Sequence, residues 1–108
     1  MLTSATTVVE RRTVIRHDHV THPYEAGWAL EAMFFVQVEG AHPDLTLRAQ
    51  VSPDGLIWLD YGEPAMLTGD SNAAAVGVRS FGTWLRLSIG GADSENPAQV
   101  LVHLAMKG

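Results

Sequence analysis

The segment LTLRAQVSPDGLIWLDY, residues 45–61, constrains the fold more than any other. Leu45, Leu47, Ala49 and Val51 alternate with Thr46, Arg48, Gln50 and Ser52. Successive side chains of a strand leave opposite faces, so this order makes one apolar face and one polar face, the mark of a half-buried strand. Pro53, Asp54 and Gly55 then form a turn, because proline presets one dihedral and Asp-Gly readily takes the positive-φ conformations of hairpins. Residues 56–61 are expected to return as the partner strand, with Trp58 and Tyr61 supplying aromatic weight.

The same period recurs downstream. Leu85, Leu87 and Ile89 share one face of an expected strand over residues 83–89, closed by Gly90 and Gly91. Val100, Val102, Leu104 and Met106 do so over residues 98–106, and AAAVGVR, residues 73–79, reads as a shorter strand. Residues 62–64 and 69–72 read as loops. Breaks every eight to twelve residues or so are the spacing of an antiparallel sandwich or barrel. The expected fold is therefore all-β, an antiparallel sandwich of jelly-roll type with about seven to eight strands. In residues 25–38, Trp28, Leu30, Phe34, Val36 and Val38 share one parity, which predicts a single long strand.

Residues 6–16 alternate poorly, yet Val8, Val9, Val14 and Ile15 are too apolar to leave in water. The segment is expected to be an N-terminal arm or edge strand, over residues 1–24, that pairs with a neighbouring subunit, ahead of a sandwich domain over residues 25–108. With 108 residues, the chain holds one core. The 46% apolar content, the few charges and the absence of cysteine leave apolar surface for subunit contacts and rule out disulfides and thiolate ligands.

The net charge of −5 argues against a broad cationic surface for nucleic acid, although Arg11, Arg12 and Arg16 lie close together. No run approaches the roughly 18 to 20 apolar residues of a spanning helix, and the opening MLTSATTVVERR lacks the features of a signal peptide, so cytosolic synthesis and no membrane partner are expected. Three of the five histidines, His17, His19 and His22, fall within RHDHVTHP. On an extended chain His17 and His19 would leave one face, but His22 lies beyond a bend at Pro23, and no zinc-enzyme spacing is present, so neither a metal site nor a cofactor is expected. There is no nucleophile elbow, phosphate loop or calcium loop, so no catalytic residues are expected either. Trp58 and Trp84 leave open a second reading, a carbohydrate-binding module in which exposed aromatic rings serve as platforms for sugars.

The stretches QVSPDGLIWLDYGE, residues 50–63, and SFGTWLRLSIGGADSENPAQVLVHL, residues 80–104, resemble small β-sandwich structural proteins of tailed phages and prophages. Ser52, Asp54, Gly55, Trp58 and Asp60 match the turn and return strand of that pattern, and Gly82, Trp84, Leu85, Arg86, Leu87, Gly90 and Gly91 match its later strand and glycine turn. The likeness covers roughly residues 28–106; Asp93, Ser94, Glu95 and Asn96 enlarge the usual turn. It implies a non-enzymatic virion component, such as a capsid-decorating or head–tail accessory subunit, made in the host cytoplasm and partnered by itself and by a larger assembly. Val8, Val9, Val14, Ile15, Trp84 and Arg86 are the candidate interface residues.

Overall fold

A computed structural model describes residues 3–108, so the first two positions of the expected arm lie outside the described residues. Nine strands are present among them: β1 (Ser4–Ile15), β2 (His19–Val20), β3 (Tyr24–Glu25), β4 (Glu31–Glu39), β5 (Leu45–Ser52), β6 (Leu59–Leu67), β7 (Ala73–Arg79), β8 (Trp84–Gly90) and β9 (Ala98–Lys107). One sheet has the order β1-β9-β4-β7 and the other β2-β8-β5-β6, with β3 also on β8; every pairing is antiparallel. Taking β2 and β3 as one interrupted strand, this is the eight-strand order of a jelly roll.

The core lies between the sheets. Leu45, Leu47 and Ala49 of β5, Leu85, Leu87 and Ile89 of β8, and Val100, Val102, Leu104 and Met106 of β9 are all buried, as their alternation requires. They meet Phe34, Val36 and Val38 of β4 and Val76 and Val78 of β7.

The chain departs from simple alternation in three places, each with a local cause. Trp28 and Leu30 share the parity of Phe34 yet are 45% and 73% exposed, because the chain turns there, Ala29 N donating to Ala26 O at 3.0 Å. Residues 25–38 are therefore not one strand: β3 ends at Glu25 and β4 begins at Glu31. The return strand β6 starts at Leu59 rather than at residue 56, and it runs through Gly62, Glu63 and Pro64, which were expected to be a loop. Between the pairs Leu47↔Ala65 and Ala49↔Tyr61 those three residues bulge opposite Arg48, with Gly62 at φ 67°.

The N-terminal segment alternates poorly because it carries two bulges. Pairing of β1 with β9 shifts register between Val8 and Glu10 and again between Glu10 and Thr13, where Arg12 takes φ 50°. β1 is thus an edge strand hydrogen-bonded to its own chain, and Ile15, 2% exposed, lies in the same core as the rest. The packing has no break at residues 24 and 25: β1 completes one sheet, while β2 and β3 line the edge of the other. The two edges are joined where His19 Nε2 lies 2.8 Å from Glu10 Oε1, with Thr13 Oγ1 donating to Glu10 Oε2 at 2.7 Å.

Candidate interaction surfaces

The β5–β6 connection is a loop of residues 53–58 whose conformation is set by two side chains. Ser52 is 1% exposed, and its Oγ accepts from Gly55 N at 2.8 Å and from Asp54 N at 3.3 Å. Asp54 Oδ1 accepts from Leu56 N at 2.9 Å and Ile57 N at 3.1 Å, and Ser52 Oγ donates to it at 3.1 Å. These bonds, the two backbone amides first, hold the Asp54 carboxyl below its ordinary value of 3.8. Gly55 supplies the expected positive φ, 80°, and the Trp84 ring lies so close that a Cβ at Gly55 would sit 3.3 Å from it.

With their amides bound by Asp54, Leu56 and Ile57 are drawn out of the strand ladder and project into solvent, 82% and 64% exposed; Leu59 follows at 61%. Sequence reasoning placed these residues in a strand and so missed them as a surface. The signal was present: an Asx-type turn at Asp54 takes the next amides away from a strand partner.

On the outer face of the β8-β5-β6 sheet, the Arg86 guanidinium lies over the Trp58 ring, 4.3 Å from its centroid. Arg86 Nε donates to Gln50 Oε1 at 2.6 Å, Gln50 Nε2 to Asp60 Oδ1 at 2.9 Å, and Arg48 Nη1 to Asp60 Oδ2 at 3.3 Å. Of the residues that carried the phage-protein resemblance, Trp58, Asp60 and Arg86 are brought together in one network and Ser52, Asp54, Gly55 and Trp84 in the adjoining turn, whereas Leu85 and Leu87 lie in the core and Gly90 and Gly91 lie at the other end of β8. One face of Trp58 is covered by Arg86, and Trp84 lies half-buried against Gly55.

The outer face of the other sheet is different in character. Met33 and Phe35 of β4 are 39% and 44% exposed. They stand beside small residues, Ala75 and Gly77 on β7 and Ala105 on β9, which leaves a shallow apolar groove along the sheet. Arg79, Glu31 and Lys107 line one end of it, with Arg79 Nη2 3.6 Å from Glu31 Oε2.

The other interface candidates are dispersed. Val8 and Val9 are half-buried on β1, Val14 is 47% exposed, and Ile15 belongs to the core and is unavailable at a surface. Pro53 is exposed in the turn. Arg12 Nε lies 3.3 Å from Glu39 Oε1, so the basic cluster is partly matched by acid. His17 and His22 are exposed, His17 Nδ1 lying 2.7 Å from the Asp18 carbonyl, while His19 is taken up by Glu10. Among the described residues no three His, Asp or Glu side chains converge as a metal site would require.

The fold and its surfaces together define a cysteine-free jelly-roll sandwich with apolar surface left uncovered. No protein-family model matches the chain, and no curated protein matches its sequence. Among solved structures it is similar to the protein of Bacillus endospore appendages, described as a novel family of disulfide-linked pili. The identity is 12% and the TM-score 0.65, over 97% of this chain and 86% of that one. It is also similar to the PBSX exported protein XepA, at 9% identity and a TM-score of 0.71, over 94% of this chain and 36% of that chain, about a third of its length. At such identities the likeness is one of fold.

Proposed function

We propose that this chain is a non-enzymatic structural subunit of a phage or phage-like particle, a capsid-decorating or head–tail accessory protein that works through subunit contacts. The observation that carries the reading is the distribution of exposed apolar side chains. Leu56, Ile57 and Leu59 gather at one hairpin, and Met33 and Phe35 line one sheet face. Apolar side chains left exposed in groups among the described residues are a usual mark of a protein interface. Similarity of fold to a pilus protein and to an exported protein supports an assembly role, as does the sequence resemblance to phage structural sandwiches. Disulfide linkage of the kind named for the pili is not open to this cysteine-free sequence.

The carbohydrate reading has less support, because Arg86 already occupies one face of Trp58 and Trp84 is held against the turn. The deciding experiment is mass spectrometry of particles pelleted from phage-induced cultures of the source strain. The chain is expected in stoichiometric amount with capsid or tail proteins. Its absence from purified particles, together with specific retention on a glycan array, would reverse the order of the two readings.

A further inference from the structure

Two loops cross between the sheets at one end of the sandwich. Residues 40–44 carry the chain from β4 to β5, and residues 68–72 carry it back from β6 to β7. Because β4 pairs with β7 and β5 with β6, the two crossings lie side by side. His42, half-buried in the first loop, reaches both of them. Its Nδ1 lies 2.7 Å from the Pro43 carbonyl oxygen of its own loop, and its Nε2 lies 2.6 Å from the Ser71 carbonyl oxygen of the other. A carbonyl oxygen can only accept, so both ring nitrogens are called on to donate. A neutral imidazole has one N–H and one lone pair in either tautomer, and would turn that lone pair toward one of the two oxygens. Only the imidazolium carries both protons, so the arrangement is complete only with a charged ring.

We propose that His42 is a pH-sensitive clasp, which ties the two crossing loops together while the ring holds both protons and releases one of the carbonyls when it loses one. The charged residues around it are Glu39, at the end of β4, Asp44 in its own loop and Asp70 in the facing loop, with no Lys or Arg in residues 39–44 or 68–72. Asp44 Oδ1 accepts from Gly69 N at 2.8 Å, Asp70 Oδ1 accepts from the Thr68 hydroxyl, and Glu39 is paired with Arg12. None of the three forms an ion pair with His42 among the described residues, so the partners of the ring are two neutral carbonyls. A histidine donating one N–H to a carboxylate, as His19 is placed to do toward Glu10, can keep that bond without its charge, whereas His42 cannot keep both of its bonds. Histidines as a class change charge between about pH 5 and 8. The contribution of the clasp is complete while both protons are bound and is lost as pH rises. The bonds from Gly69 N to Asp44 and from Val38 N to Asn72 O do not involve the ring, so release loosens the loops without opening the sandwich. The clasp does not depend on whether the chain joins a particle.

The test uses the full chain in two measurements. In wild type, NMR follows the His42 ring nitrogens and the backbone amides of Gly69, Ser71 and Asn72 from about pH 5 to about pH 8.5, which spans the range in which histidines titrate. Both ring nitrogens are expected to carry protons at the acid end, and the amides of the facing loop to shift at the midpoint where the ring loses one. Urea melts then compare wild type with His42→Gln, which has no charge to lose. The other four histidines are present in both proteins and cancel in the difference. The folding equilibrium constant of the variant is expected to fall short of wild type by about fivefold or more at about pH 5.5 and to approach it at about pH 8.5. A deficit that is the same at both pH values would give His42 an ordinary packing role and overturn the proposal. So would a ring that titrates while the facing amides stay still, a readout that decides the matter even where the variant fails to fold.

Discussion

Ser52 and Gly55 hold the β5–β6 turn as a unit, and their substitution measures how much stability the turn supplies. In Ser52→Ala the buried hydroxyl that accepts from Gly55 N and Asp54 N and donates to Asp54 Oδ1 is lost. Leaving such groups without a partner near the protein interior costs about 1 to 3 kcal/mol. In Gly55→Val a β-branched residue is forced to φ 80°, at roughly 1 to 3 kcal/mol. Its Cβ also enters at 3.3 Å from the Trp84 ring, so the ring must give way. The sequence pattern by itself made Ser52 the lesser partner; its burial and three turn bonds make the two losses comparable. The bond from Gly55 N to Ser52 Oγ exists only while Gly55 is turned, so the changes overlap. The double variant should lose less than the sum of the singles by about 0.5 kcal/mol or more.

Urea melts with a common slope give each difference directly. In thermal melts the single losses correspond to roughly 4 to 8 °C for each kcal/mol. A Ser52→Ala loss under about 0.5 kcal/mol would refute the argument, because that is the level expected of a surface residue without a role in the turn.

Two further outcomes follow from the same geometry. The Asp54 carboxyl should titrate with a midpoint below 3.8 by NMR, and, its folded pKa being the lower, its contribution to stability is complete above the unfolded value and is lost as pH falls through the folded one; an acid limb unchanged by Asp54→Asn, or a midpoint at or above 3.8, would contradict the bonds from Leu56 and Ile57. On β1, Ile15→Ala should cost about 2 to 4 kcal/mol in urea melts while Val14→Ala, one position away and 47% exposed, stays within about 0.5 kcal/mol, and equal small effects would detach β1 from the core.

Strands with undisturbed alternation were legible residue by residue. In β8 and β9 the apolar positions named from parity are the buried ones, because a sheet with one face on the core translates period two directly into burial; β5 follows the rule through Ala49 and then breaks it, Val51 being half-buried and Ser52 buried at the turn. Where the chain carries a bulge, parity changes within the strand and the sequence reads as noise. Val8, Val9 and Glu10 look like failed alternation, but they are one strand whose register against β9 shifts twice. Gly62, Glu63 and Pro64 carry loop residues into a strand for a related reason: the bulge takes the glycine at positive φ, and an edge strand tolerates proline. The pairing of Trp58 with Arg86 was invisible because it joins the two sides of β5, and only the register of β8 and β6 on that strand brings them together.

The edges of the sandwich are poor templates for an added strand. β1 is long, but its bulges and the left-handed turn of Arg12 interrupt the ladder of free amides and carbonyls that an incoming strand needs, and Arg11 and Arg12 set exposed charge along it. β2 and β3 offer two residues each, separated by Pro23, which has no amide to give. At β7 the last residue of the edge is held by the other sheet, where Tyr61 Oη donates to the Arg79 carbonyl at 2.9 Å and accepts from its amide at 3.1 Å. These three edges are thus blunted by different devices, and β6, the fourth, carries the bulge at residues 62–64, features that disfavour unregulated pairing of a β-rich chain with its own copies. The apolar hairpin and the open sheet face carry no such protection, and side-chain contacts there can be selected by shape and charge where backbone pairing would accept almost any strand.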